Sequence, residues 1–344
     1  MALVTQSAYA ATEFVCAIRQ SGGDYSLLSS WVAANQCDLT AAFTTGWDNP
    51  VGSIVDGAAV TWGTDGVGTL KHMTTVAKSG ADTFLLVKTS GSNPVDNNVV
   101  TDGANSFVVN GTPDSAIAVA ECYDDWPSGL ADTVTISGFD TGANNYVKIT
   151  VPVGERHSGT LPDGTGNQGF MLKPSSGTDV ISNIADYTVI EWVAIDGTNT
   201  TGDGIVLGNY LNYSSDYAKV RNSIIANAGD DGIQVYNRQA AVELYNNIIY
   251  NATDDGILLY HMWTTSYLAY LYNNTIYGSG GDGITYGVDV YDYSVYKNNI
   301  SYNNTGSDFV GGVGGSDYNF SEDDTAPGDN SIHGTTDGKA PDFV

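Results

Sequence analysis

Basic residues and cysteines are both scarce in this chain of 344 residues. It has 12 Lys and Arg against 39 Asp and Glu, a formal net charge of −27. That balance argues against nucleic acid and anionic membranes as partners, because both would be repelled. The three cysteines, Cys16, Cys37 and Cys122, form no Cys-x-x-Cys pair, so neither a disulfide scaffold nor a zinc site is predicted. We expect them to be small buried side chains near one another.

Long apolar runs and prolines are scarce as well. No stretch approaches the ~18 apolar residues that a membrane-spanning helix needs. The first residues carry no basic segment of the kind that opens a secretory signal. The sequence therefore predicts synthesis in the cytosol without export by the general route. With 9 Pro, 41 Gly and 42% apolar residues, the composition is typical of a folded, turn-rich β protein.

What the sequence does contain is an internal repeat, between residues 187 and 309. Residues 220–233, 244–257 and 271–284 align at offsets of 24 and then 27, and each copy ends in Asp-Gly-Ile. An earlier copy ends at residue 205, and a later, weaker one spans 296–309. A fixed period in the twenties with short strand-like segments is the mark of a solenoid.

The content of one repeat indicates the type of solenoid. Its apolar runs are short and are separated by Asn, Asp and Gly, which favour turns and positive φ, so helical arrays such as leucine-rich, ankyrin or TPR repeats are excluded. We predict an all-β fold, a right-handed parallel β-helix whose rungs stack about 4.8 Å apart. Two inward columns are expected, Ile205/Leu207, Ile233/Val235, Ile257/Leu259 and Ile284/Tyr286, with Val206, Gln234, Leu258 and Thr285 facing outward.

Three regions are predicted along the chain. Residues 1–42 hold a strand (12–19) and an N-terminal capping helix (27–36) with Leu27, Leu28, Trp31 and Val32 on one face. Residues 43–115 alternate short strands with Gly, Asp and Asn turns, which indicates an inserted small antiparallel β domain, a barrel or a sandwich. Residues 116–344 form the parallel β-helix.

Several of these segments carry a family resemblance. Residues 23–31, 145–159 and 317–328, together with the Asn-Asn-Ile and Gly-Asp-Gly-Ile rungs, resemble right-handed parallel β-helix proteins of phage and environmental origin, which have the pectate-lyase-like superfold. The resemblance covers residues 1–42 and 115–344. It implies the fold far more directly than an activity.

Aspartates recur at the same turn of successive rungs, at Asp203, Asp231, Asp255 and Asp282, with Asp230 and Asp254 beside two of them. If the rungs are in register, these carboxylates stack and repel one another. A bound Ca²⁺ would relieve that repulsion, since calcium prefers oxygen ligands, and no other cofactor is expected. The alternative is structural: Asp-Gly favours turns, and the Asp side chain accepts backbone N–H bonds.

Asparagine pairs recur in the same rungs. Asn246/Asn247, Asn273/Asn274 and Asn298/Asn299 follow a single Asn222 in the earlier rung. We interpret them as a ladder of side-chain amides that hydrogen-bond along the stack. The ladder is predicted to stabilise the fold.

The feature nearest to a break in the repeat is a lengthened loop after Tyr260, which together with the equivalent loop of the preceding rung carries aromatic and basic side chains. The candidate glycan-binding residues around it are Arg238, His261, Trp263, Tyr286 and Tyr291. Their rings could stack on the apolar faces of sugars or could line a packed trimer interface. A second cluster, residues 154–159, contains Glu, Arg and His, and is interpreted as a salt-linked turn in preference to an acid–base site.

Two functions are consistent with these patterns. The first is a phage virion structural or adhesive protein, made in the host cytoplasm: a spike, fibre or capsid decoration with a β-helical shaft, homo-oligomeric (a trimer is one arrangement) and able to contact other virion proteins or a surface polysaccharide. The second is a polysaccharide lyase or glycoside hydrolase using clustered acids. Because the acids form regular repeats and no catalytic residue breaks the pattern, the first is preferred and no catalytic residues are assigned.

Overall fold

The computed structural model describes residues 12–74, 82–166, 168–208, 217–236, 242–260, 269–287, 294–312 and 315–337. The predicted fold class is confirmed: the chain is all-β, with stacked parallel sheets that form a solenoid of about six turns. In these described ranges, no helix is both long and apolar enough to cross a membrane.

The N-terminal part combines one strand, one helix and an antiparallel unit. Strand β1 (Thr12–Ile18) is followed by helix α1 (Leu28–Asn35) and a short 3-10 helix (Leu39–Ala41). Six strands come next: β2 (Ala42–Val51), β3 (Ala59–Trp62), β4 (Gly66–Met73), β5 (Thr83–Ser90), β6 (Val99–Thr101) and β7 (Ser106–Cys122).

The solenoid is built from short strands, up to three in each rung. They are β8 (Val134–Ile136), β9 (Val147–Thr150), β10 (Met171–Leu172), β11 (Ile181–Asn183), β12 (Thr188–Glu191), β13 (Ala194–Asp196), β14 (Ile205–Leu207), β15 (Lys219–Arg221), β16 (Ile224–Ala226), β17 (Ile233–Tyr236), β18 (Val242–Tyr245), β19 (Ile248–Tyr250), β20 (Ile257–Tyr260), β21 (Ala269–Tyr272), β22 (Thr275–Tyr277), β23 (Ile284–Tyr286), β24 (Val295–Lys297), β25 (Ile300–Tyr302), β26 (Phe320–Ser321) and β27 (Ile332–His333). A 3-10 turn (Val153–Glu155) lies between β9 and β10, and helix α2 (Gly334–Asp337) follows β27.

These strands stack into three parallel sheets. Sheet 1 has the order β1-β7-β9-β12-β15-β18-β21-β24, sheet 2 the order β10-β13-β16-β19-β22-β25-β26-β27, and sheet 3 the order β8-β11-β14-β17-β20-β23. Corresponding residues of neighbouring repeats pair directly, as Ile233 does with Ile257. Identical side chains therefore form columns along the stack.

The core fills the space between the three sheets. The inward columns predicted for sheet 3 are confirmed, since all eight members pack in one apolar cluster and seven of them are fully buried. The intervening positions are less exposed than expected: Val206 and Thr285 are buried, and Gln234 and Leu258 are half-buried. Close packing requires a glycine after each of the repeated aspartates. At Gly232, for example, a Cβ would lie 2.4 Å from the Ile249 side chain.

Helix α1 covers the start of the solenoid, as predicted. Leu28, Trp31 and Val32 are buried in the main core, against residues of the first rungs. The prediction for Leu27 is wrong: it precedes the helix in extended conformation and is 37% exposed. Cys16 and Cys122 are buried on the paired strands β1 and β7, and Cys37 is half-buried.

The antiparallel unit is a closed barrel. Pairings run β2-β5-β4-β3-β6-β7, and β2 also pairs with β7, which closes the ring. The barrel has a core of its own, which includes Trp62, Phe84 and Phe107. Strand β7 continues from the barrel into sheet 1 as one strand of 17 residues. The exact bounds 43–115 for an independent domain stay a prediction.

Candidate functional site

The outer face of sheet 1 carries two columns of side chains, most of them polar or aromatic. Because strand residues alternate between the two sides of a sheet, the side chains between the core positions point away from the core. The first column is Lys148, Val189, Lys219, Glu243, Tyr270 and Val295, and the second is Glu191, Arg221, Tyr245, Tyr272 and Lys297. This face presents rings and charges together.

A third column, of tyrosines, lies where the sheet 1 strands begin. Tyr146 precedes Val147, which pairs with Thr188, and Tyr187 precedes Thr188. Lys219 pairs with Val189, so Tyr217 lies one rung beyond Tyr187. The rings of Tyr187 and Tyr217 stack with centroids 4.5 Å apart and planes 17° apart. Tyr217 is 46% exposed.

These tyrosines form one wall of a groove on the outer face. Its volume is about 370 Å³, within the range of roughly 300–1,000 Å³ typical of ligand pockets. We call it the tyrosine groove, and it is lined by Ala143, Tyr146, Tyr187, Val189, Tyr217, Lys219, Arg221 and Glu243. Phenol rings, two aliphatic side chains and a few charged groups make a surface that suits a ligand with both apolar faces and hydroxyls.

The charged groups at the groove are held in ion pairs. Arg221 lies 2.6 Å from Glu191, a carboxylate whose side chain is only 7% exposed, and Lys219 lies 3.0 Å from Glu243. Burial opposes ionisation of Glu191. Hydrogen bonding from Thr150 and the charges of Arg221 and Lys148 outweigh it and hold the Glu191 pKa below its usual value. The Arg221 guanidinium also donates to the Tyr245 hydroxyl.

The aspartate column lies along the turns that enter sheet 3, as the repeat predicts. In each step a carboxylate oxygen accepts the backbone N–H of the aspartate one rung on: Asp231 N–H to Asp203 at 2.9 Å, Asp255 N–H to Asp231 at 3.0 Å, and Asp282 N–H to Asp255 at 2.7 Å. This is the structural arrangement that the sequence allowed as an alternative to metal binding.

Burial and mutual repulsion raise the pKa values of three column members. The pKa of Asp203 is raised to about 8, that of Asp231 to about 7 and that of Asp255 to about 6, with loss of solvent the largest cause and neighbouring carboxylates adding to it. In Asp203 and Asp231 little of the side chain reaches solvent. Carboxyls of this kind hold a proton far more readily than an exposed aspartate.

One group of carboxylates close enough together to hold a cation includes a single member of that column, Asp231. Oxygens of Asp230, Asp231 and Asp254 lie within 4.8 Å of one another. Three carboxylates are suitable donors for Ca²⁺, but both Asp231 oxygens already accept hydrogen bonds, from Asp255 N–H and from the Gln234 amide. Calcium at Asp203, Asp231, Asp255 and Asp282 stays a prediction.

The other predicted site residues are mostly outside the described part of the chain. Arg238, His261, Trp263 and Tyr291 fall there. Tyr286 ends β23 and is half-buried against the main core. Its role in glycan binding stays a prediction.

The Glu-Arg-His cluster at residues 154–159 is distributed among separate partners. Glu155 accepts the Asp124 N–H, Arg156 donates to the Val151 carbonyl, and His157 hydrogen-bonds the Asn222 carbonyl. Burial lowers the pKa of His157, so the ring is neutral near pH 7. These contacts hold the loop in place, as expected for a structural turn. They are hydrogen bonds to different elements, whereas the sequence predicts a turn held by salt bridges.

Sequence reasoning missed the tyrosine groove. Tyr146, Tyr187 and Tyr217 are separated by 41 and 30 residues, which does not match the repeat period. A usable signal was the alternation in the short strands that follow them, Val-Lys-Ile, Val-Ile-Glu and Lys-Val-Arg, which places charges on the side opposite the core.

Comparison with known proteins adds no further assignment. No protein family, no curated protein and no solved structure matches this chain.

Proposed function

We propose that this chain is a structural and adhesive component of a phage particle, a spike, fibre or capsid decoration, whose β-solenoid is a stiff shaft that presents a saccharide-binding groove. The observation that carries this proposal is the tyrosine groove. Its stacked ring pair, in which Tyr217 is exposed and Tyr187 half-buried, lies on a sheet whose strands are fixed by pairing on both sides. A ligand surface that is already ordered loses little entropy on binding.

The regular columns support the shaft role. Buried amides and carboxylates repeat the same hydrogen bond from rung to rung, and such coupling between neighbouring repeats makes a solenoid rigid along its axis. We further propose that the shaft assembles with itself, a trimer being one arrangement, or with other virion proteins. Light scattering on the purified chain tests this, and a monomer at all concentrations would contradict self-assembly.

Saccharide binding is tested by titration calorimetry against a panel of bacterial surface polysaccharides and their oligosaccharides. We expect Tyr217→Ala to weaken binding about tenfold or more, on the scale of one ring-stacking contact, on the order of 1–3 kcal/mol when a stacked aromatic side chain is replaced by alanine. Tyr277→Ala is the matched control, since Tyr277 is also exposed and stacked, on Tyr302 in sheet 2. Equal loss in both variants, or binding to no saccharide, would contradict the proposal.

A polysaccharide lyase or hydrolase is the second candidate, and one observation favours it. Asp203 and Asp231 have pKa values raised to about 8 and about 7, the range in which a carboxyl can donate a proton at neutral pH. Release of reducing or unsaturated sugar ends from the same polysaccharides tests it. Activity that disappears in Asp231→Asn, with the fold retained, would replace the adhesive assignment by an enzymatic one.

A further inference from the structure

We infer that the tyrosine groove selects uncharged saccharides over acidic ones, an inference that rests on the proposed function. Acidic polysaccharides are usually recognised through cations that have no other partner, which bind carboxylate or sulfate groups. The groove has cations, but each one already has a carboxylate partner.

Each cation at the groove forms an ion pair with a carboxylate. Lys219 binds Glu243 at 3.0 Å and Arg221 binds Glu191 at 2.6 Å. Lys148, on the neighbouring strand, lies 3.0 Å from Glu13 and 3.5 Å from Glu191. The local sum of these charges is zero, with three cations against Glu13, Glu191 and Glu243.

An acidic ligand would have to break one of these pairs. The Arg221–Glu191 pair is the most costly to break, because Glu191 is largely buried and would be left with weaker compensation. The Arg221 guanidinium is further fixed by its hydrogen bond to Tyr245. The groove therefore offers oriented donors and acceptors for hydroxyl groups without offering net positive charge.

The charge of the whole chain acts in the same direction. A net charge of −27 lowers the local concentration of polyanions near the surface, an effect that falls off over about 8 Å at physiological salt but adds up over many charges. A neutral sugar is not repelled in this way. The negative face of the Tyr217 side chain attracts the C–H hydrogens of a sugar ring, and Val189 extends the apolar contact.

The test is a calorimetric comparison of neutral hexose oligosaccharides with uronic acid oligosaccharides of the same linkage and length, on the full chain. We expect the neutral set to bind about tenfold more tightly or better, with an affinity that changes little with salt. Tyr217→Ala should weaken this binding about tenfold or more, and Tyr277→Ala should leave it unchanged.

A charge variant sharpens the result. Glu243→Gln leaves Lys219 without its carboxylate partner and should raise affinity for the uronic acid set by about two- to fivefold, the range reached by one exposed charge pair. The readout is the ratio of the affinity for the uronic acid set to the affinity for the neutral set, measured on the same variant, which should rise by about two- to fivefold.

The outcomes separate the two proposals. Tighter binding of uronic acids that is lost in Tyr217→Ala would overturn the selectivity inference and leave the adhesive function standing. Neutral binding unaffected by Tyr217→Ala would place the site elsewhere and overturn the inference. Binding of neither set would refute both the inference and the saccharide-binding part of the proposed function.

Discussion

The asparagine column and the aspartate column repeat a hydrogen bond from rung to rung of one solenoid, yet they differ in charge and in burial. Asn247, Asn274 and Asn299 are at most 1% exposed. Each accepts from its predecessor and donates both amide hydrogens, as Asn274 does to the Leu244 carbonyl and to Asn299. A neutral amide can thus satisfy all of its own hydrogen-bonding groups inside the core.

A carboxylate in the same kind of stack cannot form such a ladder of side-chain hydrogen bonds. It accepts the next backbone N–H but has no hydrogen to donate while ionised, so successive members repel one another. The raised pKa values of Asp203, Asp231 and Asp255 record that difference. The same repeat geometry therefore suits neutral amides, whereas aspartates placed in it hold protons more readily than exposed aspartates do.

The largest loss of stability is expected when a charged side chain is placed in the asparagine column. Asn274→Asp keeps the acceptor, loses both donors and places a carboxylate where the side chain is fully buried. We expect a loss of about 4 kcal/mol in the free energy of unfolding near neutral pH, with partial recovery in acid as the group protonates. Denaturant titration at two pH values measures this, and a loss below about 1 kcal/mol would show that the column tolerates charge.

Removing the amide without adding a charge should lower the free energy of unfolding by a smaller amount. Asn274→Ala leaves the Asn247 N–H and the Leu244 carbonyl without their partners, and we expect a loss of about 3 kcal/mol by chemical denaturation. The matched control is Asn273→Gly: Asn273 is exposed with φ 55°, which glycine adopts without strain. The prediction is wrong if both substitutions have the same effect.

Calcium should have the smallest effect if the aspartate column is structural. The Asp231 oxygens are already used by Asp255 N–H and Gln234, so we expect the melting temperature to be unchanged by EDTA and by added Ca²⁺. Bound ions stabilise by mass action. A rise in melting temperature with Ca²⁺ that disappears in Asp230→Asn/Asp254→Asn would establish the metal site instead.

The repeat predicted the solenoid well because each rung copies its own turn residues. The aspartates and the second asparagine of each pair occupy the same register position in every rung. The first asparagine has a separate function that the sequence did not resolve: Asn222, Asn246, Asn273 and Asn298 have φ between 53° and 58°. Asparagine tolerates this left-handed backbone better than most residues.

The barrel and the groove were less predictable because both depend on contacts between distant segments. Strand β2 cannot be recognised from its sequence, since Thr-Thr-Gly-Trp-Asp-Asn-Pro has no clear alternation and contains turn-forming residues. Residues 111–114 of β7, Gly-Thr-Pro-Asp, are types that favour turns, although the strand continues through them. In the groove, Tyr187 and Tyr217 meet because the pairing of β12 with β15 aligns them one rung apart, at a spacing that does not match the repeat period.

The most direct test of the contrast between the two columns is the pH dependence of stability in the wild type and in the triple variant Asp203→Asn/Asp231→Asn/Asp255→Asn. In the folded chain the pKa values of these three aspartates lie above the ordinary 3.8, so the folded chain holds protons that the unfolded chain releases. The free energy of unfolding should therefore fall as pH rises from the unfolded pKa values through the folded ones. From about pH 5 to about pH 9 the wild type should lose about 2 kcal/mol or more relative to the variant. Parallel profiles for the two proteins, or a wild type that gains stability relative to the variant, would contradict the account.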